Sequence, residues 1–130
     1  MSDLERTMAA SASGMAAQAA RIRLTTENIA NADTPGYRRK TVSFEAVLDD
    51  TRDTRAVATG PVRLDRSELV RIYDPGNPLA GADGSYLGSN VDLVVEIADA
   101  REANRSYEAN LKMFDQARQM ASSLLGLLRR

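Results

Sequence analysis

Few side chains in this chain are of types that do chemistry, and their spacing argues against each use. Asp74, Asn77 and Asp83 are oxygen donors of the kind that hold calcium. A calcium loop, however, needs the D-x-[DN]-x-[DN]-G order with a closing Glu, which these positions do not follow. Asp49, Asp50 and Asp53 could serve as paired carboxylates for acid–base work. They lie in a charged, Thr- and Arg-rich stretch that reads as flexible and offers no burial to tune a carboxyl pKa. Gly76, Gly81, Gly84 and Gly88 form no phosphate cradle, because no Gly-Lys-Ser/Thr follows and the strand–glycine–helix order is missing. Arg38-Arg39-Lys40 is a basic triplet that reads as a surface patch or as a contact for an acidic partner. The chain has neither His nor Cys, which removes imidazole catalysis, most zinc sites and all thiol and disulfide chemistry. The expectation is a protein that is not an enzyme and carries no catalytic, metal or cofactor site.

The elements around these residues point to assembly. With 130 residues there is room for one ordinary domain, or for two long helices and a small excursion. Aromatic content is 5% and Trp is absent, so the apolar residues, mostly Ala, Leu, Val and Met, suit close helix packing better than a thick core. Arg outnumbers Lys fifteen to two, which suits interfaces that use a flat, multi-donor head. A net charge of −1 provides no bulk attraction to nucleic acid or anionic membrane. No apolar run reaches the length that spans a bilayer. The first 30 residues also lack the basic and apolar regions of a cleaved secretory signal.

Residues 2–30 read as a helix opened by a capping box, with Ser2 as N-cap and Glu5 reaching back to it. Its alternating four- and three-residue stripe is Met8, Ala12, Met15, Ala19, Ile22, Thr26 and Ile29. Between Ala9 and Ala20 there is no charge, and nearly every residue is Ala, Ser or Gly. Gly14 costs about 1 kcal/mol relative to Ala in a helix interior, so the segment is expected to gain stability from several packing partners. Asn31 caps the end, and Thr34-Pro35-Gly36-Tyr37 fits a type II turn in which Gly36 takes positive φ. Replacing Gly36 by Val should therefore be the most damaging change in the turn, followed by Pro35→Ala and then Tyr37→Phe.

Residues 41–48 fit a strand or a short helix, whereas 61–64 and 69–73 alternate as short strands. Asp49 to Thr59 reads as flexible and Gly81 to Gly88 as loop. A second helix runs from Ser89 or Asn90, as cap, to the end, with Asp92 and Glu96 near its positive pole. Its stripe is Ala103, Tyr107, Asn110, Phe114, Ala117, Ala121, Leu124 and Leu128, with Leu111, Met113, Met120, Leu125 and Leu127 off the seam. Tyr107 and Phe114 thus belong to a core or an interface. The fold class expected is mainly α: long N- and C-terminal helices paired as a coiled-coil-like hairpin, with a small β-containing middle segment. Residues 1–34 and 90–130 form the helical part, and 35–89 the β- or loop-rich part. Helices of roughly 42 and 57 Å, apolar on several sides, cannot cover one another fully, which predicts assembly.

The run Ala30-Asn31-Ala32-Asp33-Thr34-Pro35-Gly36-Tyr37 resembles the signature of bacterial flagellar rod, hook and filament-type axial proteins. Three further runs narrow that resemblance: Tyr73-Asp74-Pro75-Gly76-Asn77-Pro78, Ser89-Asn90-Val91-Asp92, and Arg105-Ser106-Tyr107-Glu108-Ala109-Asn110. In this order they resemble the C-type proximal rod proteins of the flagellar basal body. The chain departs from the family pattern at Gly84-Ser85-Tyr86-Leu87-Gly88, which has one extra residue, and at Glu96-Ile97, where Glu-Met is common.

The resemblance implies a structural subunit of the proximal rod, polymerising through its terminal helices and transmitting torque from motor to distal rod and hook. It also implies export by the flagellar type III apparatus without a cleaved signal peptide, to a rod that crosses the periplasm. Partners would be other rod proteins, further copies of the chain and the export apparatus, with no nucleic acid and no membrane insertion. Subunit-interface residues would come from both stripes: Met8, Met15, Ile22, Ile29, Tyr107, Leu111, Phe114, Leu124 and Leu128. The alternative is a cytoplasmic coiled-coil adaptor or regulator dimerising through the same stripes.

Overall fold

The computed structural model describes residues 2–49 and 54–129. Two long helices, α1 (Asp3–Ala30) and α2 (Leu93–Leu128), flank six short strands. The strands are β1 (Lys40–Thr41), β2 (Phe44–Asp49), β3 (Thr54–Thr59), β4 (Arg63–Leu64), β5 (Arg71–Tyr73) and β6 (Ser85–Leu87). They pair antiparallel as three separate two-stranded pieces, β1 with β4, β2 with β3 and β5 with β6.

α1 begins where its capping box requires. The Ser2 hydroxyl accepts from the Glu5 N–H at 3.2 Å, and the Glu5 carboxylate accepts from the Ser2 N–H at 2.8 Å. The Ser2 N–H, and after it the Ser2 hydroxyl donating at 3.1 Å, hold the Glu5 carboxyl below its ordinary value. α2 starts later than its sequence suggests: Asp92 is the N-cap, its side chain accepting from the Val94 N–H at 3.0 Å. Ser89 and Asn90 are instead drawn to groups outside the helix. Two other expectations are corrected. Thr54–Thr59, within the stretch read as flexible, is a strand paired with β2, with Ala46 opposite Val57. Ser85–Leu87, within the stretch read as loop, pairs with β5, because Gly84 turns the chain back at φ +78°. Asp50 and Asp53 lie outside the described residues.

The helices run antiparallel, with Asn28 meeting Glu96, Arg21 meeting Asp99 and Gly14 lying over Asn110. Continued at that register, the first turn of α1 reaches Ala121, and residues 122–128 of α2 project past it. The seam is narrow. Among the described residues its buried apolar members are Ala17, Leu24, Ala103 and Ala117, whereas Ser11, Thr25, Asn28, Ser89 and Glu96 are buried and polar. Gly14 is the closest approach: a Cβ there would stand 2.7 Å from Asn110 Oδ1. The residue that weakens the isolated helix is thus what admits α2.

The face of α1 turned to α2 also differs from the expected stripe. Buried positions are Ser11, Gly14, Ala17, Leu24, Thr25 and Asn28, while Ala12, Ala19, Thr26 and Ile29 are exposed. The small residues between Ala9 and Ala20 carry no apolar bias, so close packing at Gly14 and not hydrophobicity selects the face. On α2 the expected stripe matches the seam as far as Ala121, and Leu124 and Leu128 then run into solvent. The β2–β3 hairpin folds back along α1, the Val57 N–H donating to Ser13 Oγ at 3.0 Å. The surface totals 9,072 Å². A compact globule of this mass exposes roughly 6,700 Å², so the chain is extended and much of its helical surface lacks cover.

Candidate subunit interface and the joint at its foot

At the exit of α1 the predicted turn forms. Asn31 is the C-cap at φ −109°, outside the left-handed region, and its Nδ2 donates back to the Glu27 carbonyl at 2.9 Å. Thr34 closes on it, donating through Oγ1 to Asn31 Oδ1 at 3.1 Å. The Tyr37 N–H then donates to the Thr34 carbonyl at 3.1 Å, with Gly36 at φ +75° and Pro35 before it, as a type II turn requires. The Gly36 N–H donates onward to the Gly88 carbonyl at 3.0 Å, and Ser89 Oγ donates to the Ala32 carbonyl. The turn is therefore docked on the chain entering α2.

Behind the turn lies a polar cluster whose members are far apart in sequence. Asn28, 1% exposed, accepts through Oδ1 from the Tyr37 hydroxyl at 2.7 Å and from the Lys40 N–H at 2.9 Å. Its Nδ2 donates to the Lys40 carbonyl at 2.9 Å and to Glu96 Oε2 at 3.3 Å. All four hydrogen-bonding sites of the amide are thereby used. Glu96 is wholly buried, and its other oxygen accepts from Arg39 Nε. Arg39 also reaches Asp99 at 3.0 Å and Asp65 at 3.8 Å, and Asp99 is shared with Arg21 of α1 at 3.3 Å. Burial opposes the Arg39 charge, but the hydrogen bond to Glu96 and the surrounding carboxylates outweigh it and hold the guanidinium above its ordinary value. Lys40 is raised mainly by its hydrogen bond to Glu27. Asp65 is lowered first by the Ser67 backbone N–H. Tyr37 is raised by burial and then by the Glu27 charge.

The basic triplet is thus spent inside the molecule: Arg38 donates to the Asp65 and Ser67 carbonyls, Arg39 to Glu96, and Lys40 to Glu27. Asn77 and Asp83 are turn-formers, accepting from the Leu79 and Ser85 N–H groups, and Asp83 also pairs with Arg71. The pattern reading named neither Asn28 nor Arg39 as a joint. The available signal was slight: an Asn in the last turn of α1, twelve residues before Lys40.

Outside its seam with α1, α2 is bare near both ends. Leu93, Val94, Val95 and Ile97 are exposed near its start, and Met120, Leu124, Leu125, Leu127 and Leu128 near its end, the last at 81%. Of the expected interface residues, Leu111, Leu124, Leu128 and Ile29 are exposed. Met8, Met15, Ile22, Tyr107 and Phe114 are half-buried along the hairpin.

Two family models match the helical parts. "Flagella basal body rod protein" covers residues 8–38, which is most of α1 and the turn, and "Flagellar basal body rod FlgEFG protein C-terminal" covers residues 82–127, which is β6 and α2. Relatives extend the match across the middle. The chain is 45% identical to the flagellar basal-body rod protein FlgC of Agrobacterium fabrum over 90% of its own length and 89% of the relative's. It is 34% identical to FlgC of Salmonella typhimurium, over 88% and 90%, and 31% identical to FlgC of Bacillus subtilis, over 88% and 91%. The chain belongs to the FlgC family. As a FlgC-family member it is a structural subunit of the flagellar basal-body rod. Within this FlgC-type chain the two matched segments are the two arms of one hairpin, and the Asn28–Arg39–Glu96 cluster ties them to the β strands between.

Proposed function

We propose that the chain polymerises in the proximal rod through its paired terminal helices, which pack beside those of neighbouring subunits as the wall of a tube. In that reading residues 1–34 and 90–130 are the inner part, and 35–89 the outer. Torque passes from motor to distal rod and hook through many shallow helix contacts in parallel, with no catalytic step. The chain leaves the cytoplasm through the flagellar export apparatus without a cleaved signal peptide, and its lasting partners are other rod proteins and further copies of itself.

The observation that carries this reading is the leucine-rich end of α2, where Leu124, Leu125, Leu127 and Leu128 are each more than half exposed. Leucines exposed in a row on a helix are costly in water and favourable against another apolar helix. The test is Leu124→Asp together with Leu128→Asp. Both side chains are exposed, so the single chain should keep its fold and be exported, while basal-body yield and motility are lost. A strain with both changes that swims normally would remove the interface assignment.

A further inference from the structure

Two asparagines, one on α1 and one in the chain entering α2, grip consecutive residues of the segment that leaves the hairpin. Asn28 of α1 both accepts from the Lys40 N–H and donates to the Lys40 carbonyl, each at 2.9 Å. Its amide thereby pairs with both backbone groups of one residue, as a neighbouring strand would, and that residue's own strand, β1, has β4 as its partner. Asn90, just before α2, accepts from the Arg39 N–H at 2.6 Å and donates to the Asp65 carbonyl at 3.0 Å and the Ser67 carbonyl at 3.2 Å. The backbone of residues 39 and 40 is therefore held from α1 and from the chain entering α2.

That grip fixes where Arg39 points. Its guanidinium enters the foot of α2 between Glu96, which is wholly buried, and Asp99. A buried carboxylate requires both a counter-charge and hydrogen bonds, and Glu96 obtains them from Arg39 and from Asn28 Nδ2. We infer that Asn28 and Asn90 are positioning residues that replace a missing strand, and that with the Arg39–Glu96 pair they set a single angle between the helical hairpin and the β segment. This goes beyond the rod reading and is independent of it, because every contact lies within one chain. If the chain does form a tube wall, the same joint aims the outer element.

The chain has no Cys, so spin labels can be attached at introduced cysteines alone. Labels at Ala16→Cys and Leu79→Cys, both exposed positions, report the distance between the hairpin and the β segment. A second pair, Ala16→Cys with Gln119→Cys, reports helix pairing. A single narrow distance is expected for both pairs in the otherwise unchanged chain. Asn28→Asp keeps the size of the side chain but turns its two donor contacts into acceptor-facing-acceptor contacts, one of them against Glu96. It should abolish the single Ala16–Leu79 distance and leave the helix-pairing distance intact. An unchanged narrow Ala16–Leu79 distance overturns the proposal. Should Asn28→Asp also separate the helices, Asn90→Ala decides: a broadened distribution is expected, and an unchanged one overturns the joint.

Discussion

The two ends of the helical hairpin have opposite characters. At the foot, Asn28, Arg39 and Glu96 are satisfied by groups of the same chain, and the buried residues are mainly polar. At the tip, Leu124, Leu125, Leu127 and Leu128 are each more than half exposed. Polar groups taken out of water must find partners at once, so the foot closes within the chain. Apolar groups carry no directional requirement and can wait for a neighbour. A subunit built in this way has one end that stabilises its own shape and another that favours assembly.

The contrast makes its largest prediction at Glu96. Glu96→Ala leaves Arg39 facing a pocket without its buried carboxylate, and should cost about 3 kcal/mol in urea unfolding of the single chain. Leu128→Asp should leave the same unfolding curve where it was. If the tip substitution destabilises the single chain as much as the foot substitution, the division between the ends fails.

Next in size is Gly14→Leu, midway between the ends, which drives a side chain into Asn110 where α1 and α2 approach most closely. Overpacking of this kind should cost about 2 kcal/mol, read as a lower urea midpoint with helices that no longer pair in register. A neutral Gly14→Leu would mean that the helices are free to slide.

The turn comes next, in an order different from the one its local chemistry implies. Gly36→Val should lose about 1–2 kcal/mol from forcing a β-branched residue to positive φ, since apart from its chain neighbours no atom lies within 4 Å of a Cβ at Gly36. Tyr37→Phe should follow at about 1 kcal/mol, because it removes the hydroxyl that donates to buried Asn28 Oδ1. Pro35→Ala should be mildest, at about 0.5 kcal/mol through the freed unfolded chain. Thermal unfolding of the three variants gives the ranking, and Pro35→Ala worse than Tyr37→Phe would show that the hydroxyl does little at the foot.

The smallest effect is in pH. Tyr37 and Lys40 both titrate above their ordinary values in the folded chain. Their contribution is fully present below the unfolded pKa values, near 10 for the tyrosine, and is lost as pH climbs through the raised folded values. Stability should therefore decline at strongly alkaline pH, and Tyr37→Phe should flatten part of that decline. A Tyr37→Phe chain with an unaltered alkaline limb would remove the phenol from the cluster.

Much of the architecture was legible because its signals are short-ranged. Ser2 and Glu5 fix the start of α1 across three residues, Pro35 and Gly36 fix the turn through their own φ, and the α2 stripe from Ala103 to Ala121 follows helical period. These are constraints of one or two turns of chain, and no tertiary contact is needed to read them. The strand at Ser85–Leu87 was hidden because a three-residue pairing carries too little pattern, and its existence depends on β5 lying opposite.

The sequence by itself determined two long helices, a Pro-Gly exit, an absence of His and Cys chemistry, and more apolar helical surface than one chain can bury. Only the tertiary structure decided which face of α1 meets α2. A helix surfaced with Ala, Ser and Gly offers no hydrophobic preference, and the choice falls to the close fit of Gly14 over Asn110. Only the tertiary structure, likewise, turned Arg39 from a surface charge into the partner of a buried Glu96 across 57 residues. Sequence patterns report what neighbours along the chain impose on each other. Desolvation of a charge is decided by whatever the fold brings beside it, and at the foot of this hairpin the fold brings Asn28, Asn90 and Glu96 together.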